Sequence, residues 1–378
     1  MPQLEQVPAE EAKQIENIIR LTLDELAKRY SGEKPRLRAQ HSKGHACVTA
    51  TFTVAADVPP DMRVGIFADP GREYEAWIRY SNAAAVAGAD SLLVKGARTH
   101  GSRGMAVKIL GVTGVPLVPH DGPVTQDFLM VNHPVFPFPD TEVYNAITEV
   151  LAANNGDPTL FFTSRLDKDA SGAPNPAGPL SRQTLRTRQI IQRIQSLTFN
   201  PVPLAGAPAQ PSAFQAPPAS PVDNEYFGAA PFLFGDDAAM RVSAKPRSPV
   251  AGESLNLTDD DYLRAALRER LAAGAQDVVF DFQVQVRKAS ELAASIEADI
   301  EDACVDWDST VHPFKTMATI TIPPQEFDTE ERRAHCENLF FTPWHGIAEH
   351  RPLGGINRLR RAVYEASSRF RHSPKGAR

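Results

Sequence analysis

The sequence predicts an α+β fold: an antiparallel β-barrel core with surrounding helices and an extended Pro-rich thread. Three observations carry this expectation. Short stretches of alternating, β-branched sequence recur along the chain and are separated by Pro and Gly turn residues. Helical periodicity is confined to a few segments, two of them near the chain ends. Finally, the chain holds 32 prolines, above an average share of roughly 5 %, and a dense group of them falls between Pro201 and Pro221.

In chain order, residues 8–30 predict a helix, because Ile15, Ile18, Ile19 and Leu26 recur at helical spacing among Glu and Lys. It belongs to a 1–34 arm expected to pack on the body or on another subunit. From about 36 to 140 the period changes to two. Val48, Ala50, Phe52 and Val54 alternate with Cys47, Thr49, Thr51 and Thr53, the pattern of a half-buried strand. Similar strands are expected at 76–81, 105–112 and 127–131, set apart by turns such as Pro59-Pro60, Pro70-Gly71 and Gly122-Pro123. Helices follow at 144–154 and at 181–196, the latter through Leu185, Ile190, Ile191 and Ile194. The 201–222 stretch has too many prolines for a helix or a central strand and is expected to run as a thread along a surface.

Strands resume at 226–244 and 278–286. In the second, Val278, Phe280, Phe282, Val284 and Val286 share one face, while Asp281, Gln283 and Gln285 share the other, as in a barrel wall. A helix between them is expected with Thr258 as N-cap, a stripe of Leu263, Leu267 and Leu271, and Gly274 as its stop. A last strand at 316–322 is halted by Pro323-Pro324, and an arginine-rich helix follows at 356–371. One domain thus spans 35–371, with a tail at 372–378.

Composition excludes several classes. The chain has 378 residues, 42 % hydrophobic and 23 % charged, which is ordinary for a globular protein with a large core. A net charge of −6 argues against a nucleic-acid partner. No apolar run approaches the roughly 20 residues of a membrane span, and the acidic, polar start is unlike a secretory signal. Cys47, Cys304 and Cys336 are too few and too scattered for a disulfide framework or a zinc site, so a reducing compartment, the cytoplasm, is expected.

Residues able to carry chemistry form two groups. His41, in Arg38-Ala39-Gln40-His41, precedes the strand at 47; Ser81 and Asn132 end later strands. Each alone reads equally as a structural hydrogen-bonder. Arg360 and Tyr364 lie four apart, so both project from one face of the expected C-terminal helix. A phenolate at neutral pH needs stabilisation, since the phenol titrates near ~10; an adjacent guanidinium and a ferric iron together supply it. Tyrosine is a known axial ligand of haem iron.

Taken in order, these segments resemble the haem catalase family, and its small, catalase-related members most. Arg38-Ala39-Gln40-His41-Ser42-Lys43-Gly44 is similar to the family's distal-histidine segment. Trp77-Ile78-Arg79-Tyr80-Ser81, Arg103-Gly104-Met105-Ala106-Val107-Lys108 and Asn132-His133-Pro134-Val135-Phe136 resemble its "R-F-S", "R-G-F-A-V-K" and "N-x-P-x-F" segments. Arg360-Arg361-Ala362-Val363-Tyr364 matches the proximal R-x-x-x-Y motif, and Pro343-Trp344-His345-Gly346 resembles the catalase-related branch.

The resemblance implies haem b as cofactor, with Tyr364 as axial ligand of the iron and Arg360 as its charge partner. It implies His41 as the distal acid and base, Ser81 as its hydrogen-bond acceptor and Asn132 as the amide that orients peroxide. Arg38, Arg79 and Arg371 would pair with the propionates, and Phe136 would pack on the distal side. The implied activity is decomposition of hydroperoxides, of hydrogen peroxide and of organic ones. A membrane is not required, although a lipid hydroperoxide is an admissible substrate, and a homo-oligomer is expected.

Some positions depart from the pattern. Gln40 stands where catalases carry an aliphatic residue and allene oxide synthases a Thr, and His133 stands where most catalases have Thr. Only seven residues follow Arg371, so the resemblance does not extend to a C-terminal flavodoxin-like domain, and a thinner shell would leave a wider channel. A fatty-acid hydroperoxide dehydratase or lyase is therefore the alternative activity, and a non-catalytic haem- or lipid-binding barrel the alternative class.

Overall fold

The computed structural model describes residues 4–31, 35–84, 87–94, 97–119, 122–168, 172, 181, 183–185, 187–191, 219–228, 230–250, 255–289 and 300–373. The strands are β1 (Gly44–Val54), β2 (Glu73–Asn82), β3 (Ser91–Val94), β4 (Ala97–His100), β5 (Arg103–Leu110), β6 (Thr125–Val131), β7 (Tyr226–Phe227), β8 (Phe232–Phe234), β9 (Ala238–Pro246), β10 (Val278–Lys288) and β11 (Lys315–Ile322). The labelled helices are α1 (Glu11–Arg29), α2 (Thr141–Ala153), α3 (Thr159–Ser164), α4 (Tyr262–Arg270), α5 (Glu330–Asn338) and α6 (Gly355–His372).

Eight antiparallel strands close into a barrel in the order β10-β11-β1-β2-β5-β6-β7-β9, with β9 pairing back to β10 and β8 added beside β9. Alternation explains the wall. Val48, Ala50, Phe52 and Val54 of β1 and Phe280, Phe282 and Val284 of β10 enter one buried core. Aromatic rings fill the centre: Phe282 lies 5.2 Å from Phe52 and 5.0 Å from Phe128, centroid to centroid.

A register shift between β10 and β11 falls at Phe282/Gln283. Beyond it the expected two-face pattern changes: Gln285 is buried and donates to the carbonyls of Trp307 at 2.8 Å and His312 at 2.7 Å, whereas Val286 is only partly buried.

The helices pack outside. The N-terminal arm docks on its own body: Ile18 and Leu26 are buried, and α1 lies against α2 and α6. Helix α2 starts earlier than its periodicity indicates, because Asp140 accepts from Val143 N at 2.8 Å as a true N-cap. The expected 181–196 helix is present at 183–185 and 187–191; Ile190 and Ile191 are buried, while Leu185 is half exposed rather than part of the buried stripe.

Two capping expectations for α4 are corrected. Thr258 is not its cap but bonds to Asn256 Oδ1 at 2.7 Å in the preceding turn; the first turn is instead capped by the distant, buried Asp90, whose Oδ2 accepts from Leu263 N at 3.1 Å. The helix ends at Arg270, and Gly274 serves the following turn with φ +84°. The 201–222 thread lies outside the described residues except at its end, where Pro221–Asp223 forms a short 3₁₀ turn. No helix among the described residues is long and apolar enough to cross a membrane.

Candidate functional site

The distal segment precedes β1 and is folded back on the end of β2. His41 N bonds to Ala83 O at 3.4 Å and Ser42 N to Ala84 O at 3.3 Å. This turns His41 into the left-handed region, φ +55°, a conformation a non-glycine residue holds only when its surroundings enforce it. His41 Nδ1 then lies 3.0 Å from Ser81 Oγ. Gly104 on β5 makes room for the pair: a Cβ there would stand 2.4 Å from His41 Nδ1 and 2.8 Å from Ser81 Oγ. Burial, helped by Arg79, Arg360 and Arg38, pushes the His41 imidazole down to about 3, so it is neutral at ordinary pH.

The opposite wall is α6. Arg360, Val363, Tyr364, Ser367 and Arg371 recur at three- and four-residue spacing and share one face on the cavity. Arg360 Nε donates to Tyr364 Oη at 3.4 Å, and its guanidinium lies 5.6 Å from the ring centroid. The helix is held from both ends. Asn357 Nδ2 donates to Pro231 O at 2.8 Å. Arg358 pairs with Glu5 at 2.6 Å, Glu11 at 2.5 Å and Glu301 at 3.2 Å. Ser367 Oγ accepts from Ala39 N at 3.2 Å, tying the helix to the distal segment.

Between these walls lie two adjoining cavities. Gln40, His41, Leu129, Val131, Arg360, Val363 and Tyr364 line both. The first opens toward three guanidiniums, those of Arg38, Arg79 and Arg371. The second is apolar, walled by residues such as Val135, Phe136, Pro137, Ile356 and Leu359. Phe136 stacks there on Tyr144, centroids 6.0 Å apart, and burial pushes the Tyr144 phenol up to about 12, Tyr364 adding to the shift.

The three arginines meet around one carboxylate. Arg38 donates to Glu337 Oε2 at 2.5 Å; Arg79 and Arg371 lie 3.5 Å and 3.7 Å from the same group. Arg79 also donates to His41 O at 2.9 Å, while its Nε is buried without a partner. Burial and the positive charges of Arg79 and Arg371 lower Arg38 to about 9, against the opposing effect of Glu337. Three positive charges against one negative leave a site short of anionic acceptors. A flat, largely apolar group carrying two carboxylates fits this donor set and the apolar second cavity; a haem is such a group.

The residues expected at the site are therefore mostly brought together. His41, Ser81, Arg38, Arg79, Phe136, Arg360, Tyr364 and Arg371 all line one cavity or both. Asn132 is not among the lining residues: it follows Val131, its Oδ1 accepting from Ser102 Oγ at 3.0 Å and Arg103 N at 2.7 Å, which leaves its amide NH₂ as the group able to donate. Glu337 and Tyr144 went unanticipated. Neither carries a local signal: Glu337 meets Arg38 from the far end of the chain, and Tyr144 reads as one more residue of a helix. His345 contacts the buried Lys108–Asp127 pair, at 3.1 Å and 3.2 Å.

No family model matches the sequence, and no curated protein does. Solved structures do resemble it. Catalase A from Saccharomyces cerevisiae is 17 % identical, with a TM-score of 0.61 over 93 % of this chain and 64 % of that one. A fungal catalase is 16 % identical (TM-score 0.59; 93 % of this chain, 62 % of that one). A bacterial catalase is 14 % identical (TM-score 0.57; 93 % of this chain, 60 % of that one). The chain thus spans less than two thirds of the length of these catalases. At such identities the likeness is one of architecture, and what it shows is that this chain has the catalase fold.

Proposed function

We propose that this chain is a haem-dependent enzyme that decomposes hydroperoxides, hydrogen peroxide and organic ones alike. The observation that carries the reading is that two pairs, His41 with Ser81 and Arg360 with Tyr364, face the same cavities from opposite elements. Tyr364 Oη would hold the iron, and Arg38, Arg79 and Arg371 the two carboxylates. Bound there, a haem supplies the redox centre at which the peroxide O–O bond is cleaved.

The chain's own residues do the rest. His41 is neutral, so its free nitrogen takes a proton from the incoming hydroperoxide and returns it to the departing oxygen. Ser81, on Nδ1, keeps the ring in that tautomer and orientation. Arg360 stabilises negative charge on the Tyr364 oxygen. Asn132 would act on peroxide through its NH₂, since its Oδ1 is taken by Ser102 and Arg103. Leu129, Val131 and Phe136 keep bulk water from the reacting atoms. A cytoplasmic location and a homo-oligomer belong to the same reading.

The test is an absorption spectrum and oxygen release on purified chain loaded with haem. Loaded protein should release oxygen from hydrogen peroxide. Tyr364→Phe should lose most bound haem, and His41→Ala should keep haem but lose peroxide cleavage by about 10²-fold or more. A Tyr364→Phe protein with full haem and full activity would overturn the assignment.

A second reading, a fatty-acid hydroperoxide dehydratase or lyase, is favoured by the apolar walls of the second cavity. It predicts no oxygen release and rapid loss of a conjugated-diene hydroperoxide. A non-catalytic binding barrel is disfavoured by the strained, neutral His41, which a storage site has no need to hold.

A further inference from the structure

Two cysteines far apart in sequence come together beside the arginine cluster. Cys47 lies on β1, where alternation with the core-facing Ala46 and Val48 turns it to the outside of the barrel. Helix α5 covers that side, and Cys336 is the buried residue of the helix. Both are free and nearly inaccessible, 2 % and 6 % exposed. The two thiols are neighbours in the β1–α5 interface, near enough that each shifts the other's titration.

Positive charge surrounds the pair. Arg79 faces Cys47 across the β1–β2 ladder, and Arg38 donates to the Cys336 carbonyl at 3.0 Å. The neighbouring Cys47 thiol, then Arg79 and Arg38, lower the Cys336 thiol against the opposing effect of burial, while Cys336 and burial raise Cys47. Cys336 is thus the sulfur able to become a thiolate, with Cys47 next to it. Arg38 and Arg79, which flank the two cysteines, also line the first cavity.

We propose that Cys336 and Cys47 are a peroxide-oxidisable dithiol whose disulfide staples α5 to β1 beside Glu337. In the first step the Cys336 thiolate attacks one oxygen of a hydroperoxide. The O–O bond breaks, Cys336 takes the OH and becomes a sulfenic acid, and the other oxygen takes up the proton released when the Cys336 thiol ionised and leaves as the alcohol. In the second step Cys47 loses its proton and attacks that sulfur. An S–S bond forms, the S–O bond breaks, and water leaves. Overall two thiols lose two electrons and one hydroperoxide is reduced to alcohol and water. The inference rests on the proposed function only for the presence of a hydroperoxide in the cavity.

The full chain, reduced, freed of reductant and without added haem, is treated with tert-butyl hydroperoxide. It is then unfolded and alkylated without reductant for peptide mass mapping. The expected product is a single Cys47–Cys336 linked peptide pair, two hydrogens lighter than its reduced parts, with Cys304 fully alkylated. Cys47→Ser should stop at a sulfenic acid on Cys336 that dimedone traps, and Cys336→Ser should leave Cys47 as a thiol. The oxidised chain should melt at a higher temperature than the reduced one, a shift absent from Cys47→Ser. Full alkylation of both cysteines after excess hydroperoxide, or a link through Cys304, would overturn the proposal. If either variant does not fold, mapping of the unsubstituted chain decides. Because no haem turnover enters the measurement, its failure leaves the proposed activity standing, and loss of that activity leaves this result intact.

Discussion

His41 concentrates the physics of the site in one residue. Its backbone is strained, its ring is neutral, and its space is created by a glycine on another strand. Gly104→Ala should therefore dislodge the ring: loaded protein would keep its barrel, seen in an unchanged far-ultraviolet spectrum, but lose peroxide cleavage. Full activity in that variant would detach the His41–Ser81 pair from the chemistry. Two further buried histidines share the low proton affinity of His41: burial lowers His45 and His350 to about 4 and His41 to about 3. Above about 6.5 all three are neutral in both folded and unfolded chains and cost nothing. Below that value the unfolded chain takes up protons that the folded chain refuses, so stability falls as pH drops from about 6.5 toward 4. Melting temperatures measured at pH 7.5, 6 and 4.5 should decline over that range; a flat series would contradict the burial of these rings. The same depression means that peroxide cleavage should show no acid limb near pH 6.5.

At the scale of elements, α6 matters most, because it carries Arg360, Tyr364 and Arg371 on one face. What holds it in place is partly remote. The Arg358 side chain, 18 % exposed, gathers carboxylates from Glu5, Glu11 and Glu301, and Gly354 N donates to Glu5 Oε1 at 2.8 Å at the start of the helix. Arg358→Ala removes the cation those acids share, although Glu5 keeps Arg351 and Gly354 N and Glu301 keeps Gln6 N, and should destabilise the chain by about 2 kcal/mol, less than for a fully buried pair because of its partial exposure. Urea denaturation reads this directly, and an unchanged midpoint would show that the arm is not an anchor. Most elements were legible from periodicity: β1, β2, β5, β6, β10, β11, α1 and α6 fall where alternation or helical spacing puts them. The misplaced features depend on partners that no local window contains. Asp90, from a distant loop, caps α4 in place of Thr258, and the register shift at Phe282/Gln283 buries Gln285.

For the molecule as a whole, stability resides in the filled barrel. Phe282 touches Phe52, Phe67 and Phe128 at its centre. Phe282→Ala should cost about 3–5 kcal/mol, since the eight-stranded wall cannot collapse onto the void. A loss below 1 kcal/mol, measured by denaturant titration, would mean the interior repacks freely. The site depends on the same closure, because the two walls of its cavities come from opposite ends of the chain.

The amino-acid sequence by itself determined most of the strands and helices and the order of the residues able to do chemistry, because alternation, helical spacing and short motifs are local properties. Only the tertiary structure decided which of them meet. It set Tyr364 and His41 on the same cavities, drew Arg38, Arg79 and Arg371 around Glu337, tied Asn132 to Ser102 and Arg103, and brought Cys47 and Cys336 into one interface. Those outcomes follow from barrel closure and helix packing, which bring together side chains hundreds of positions apart and leave no trace in any short stretch of sequence.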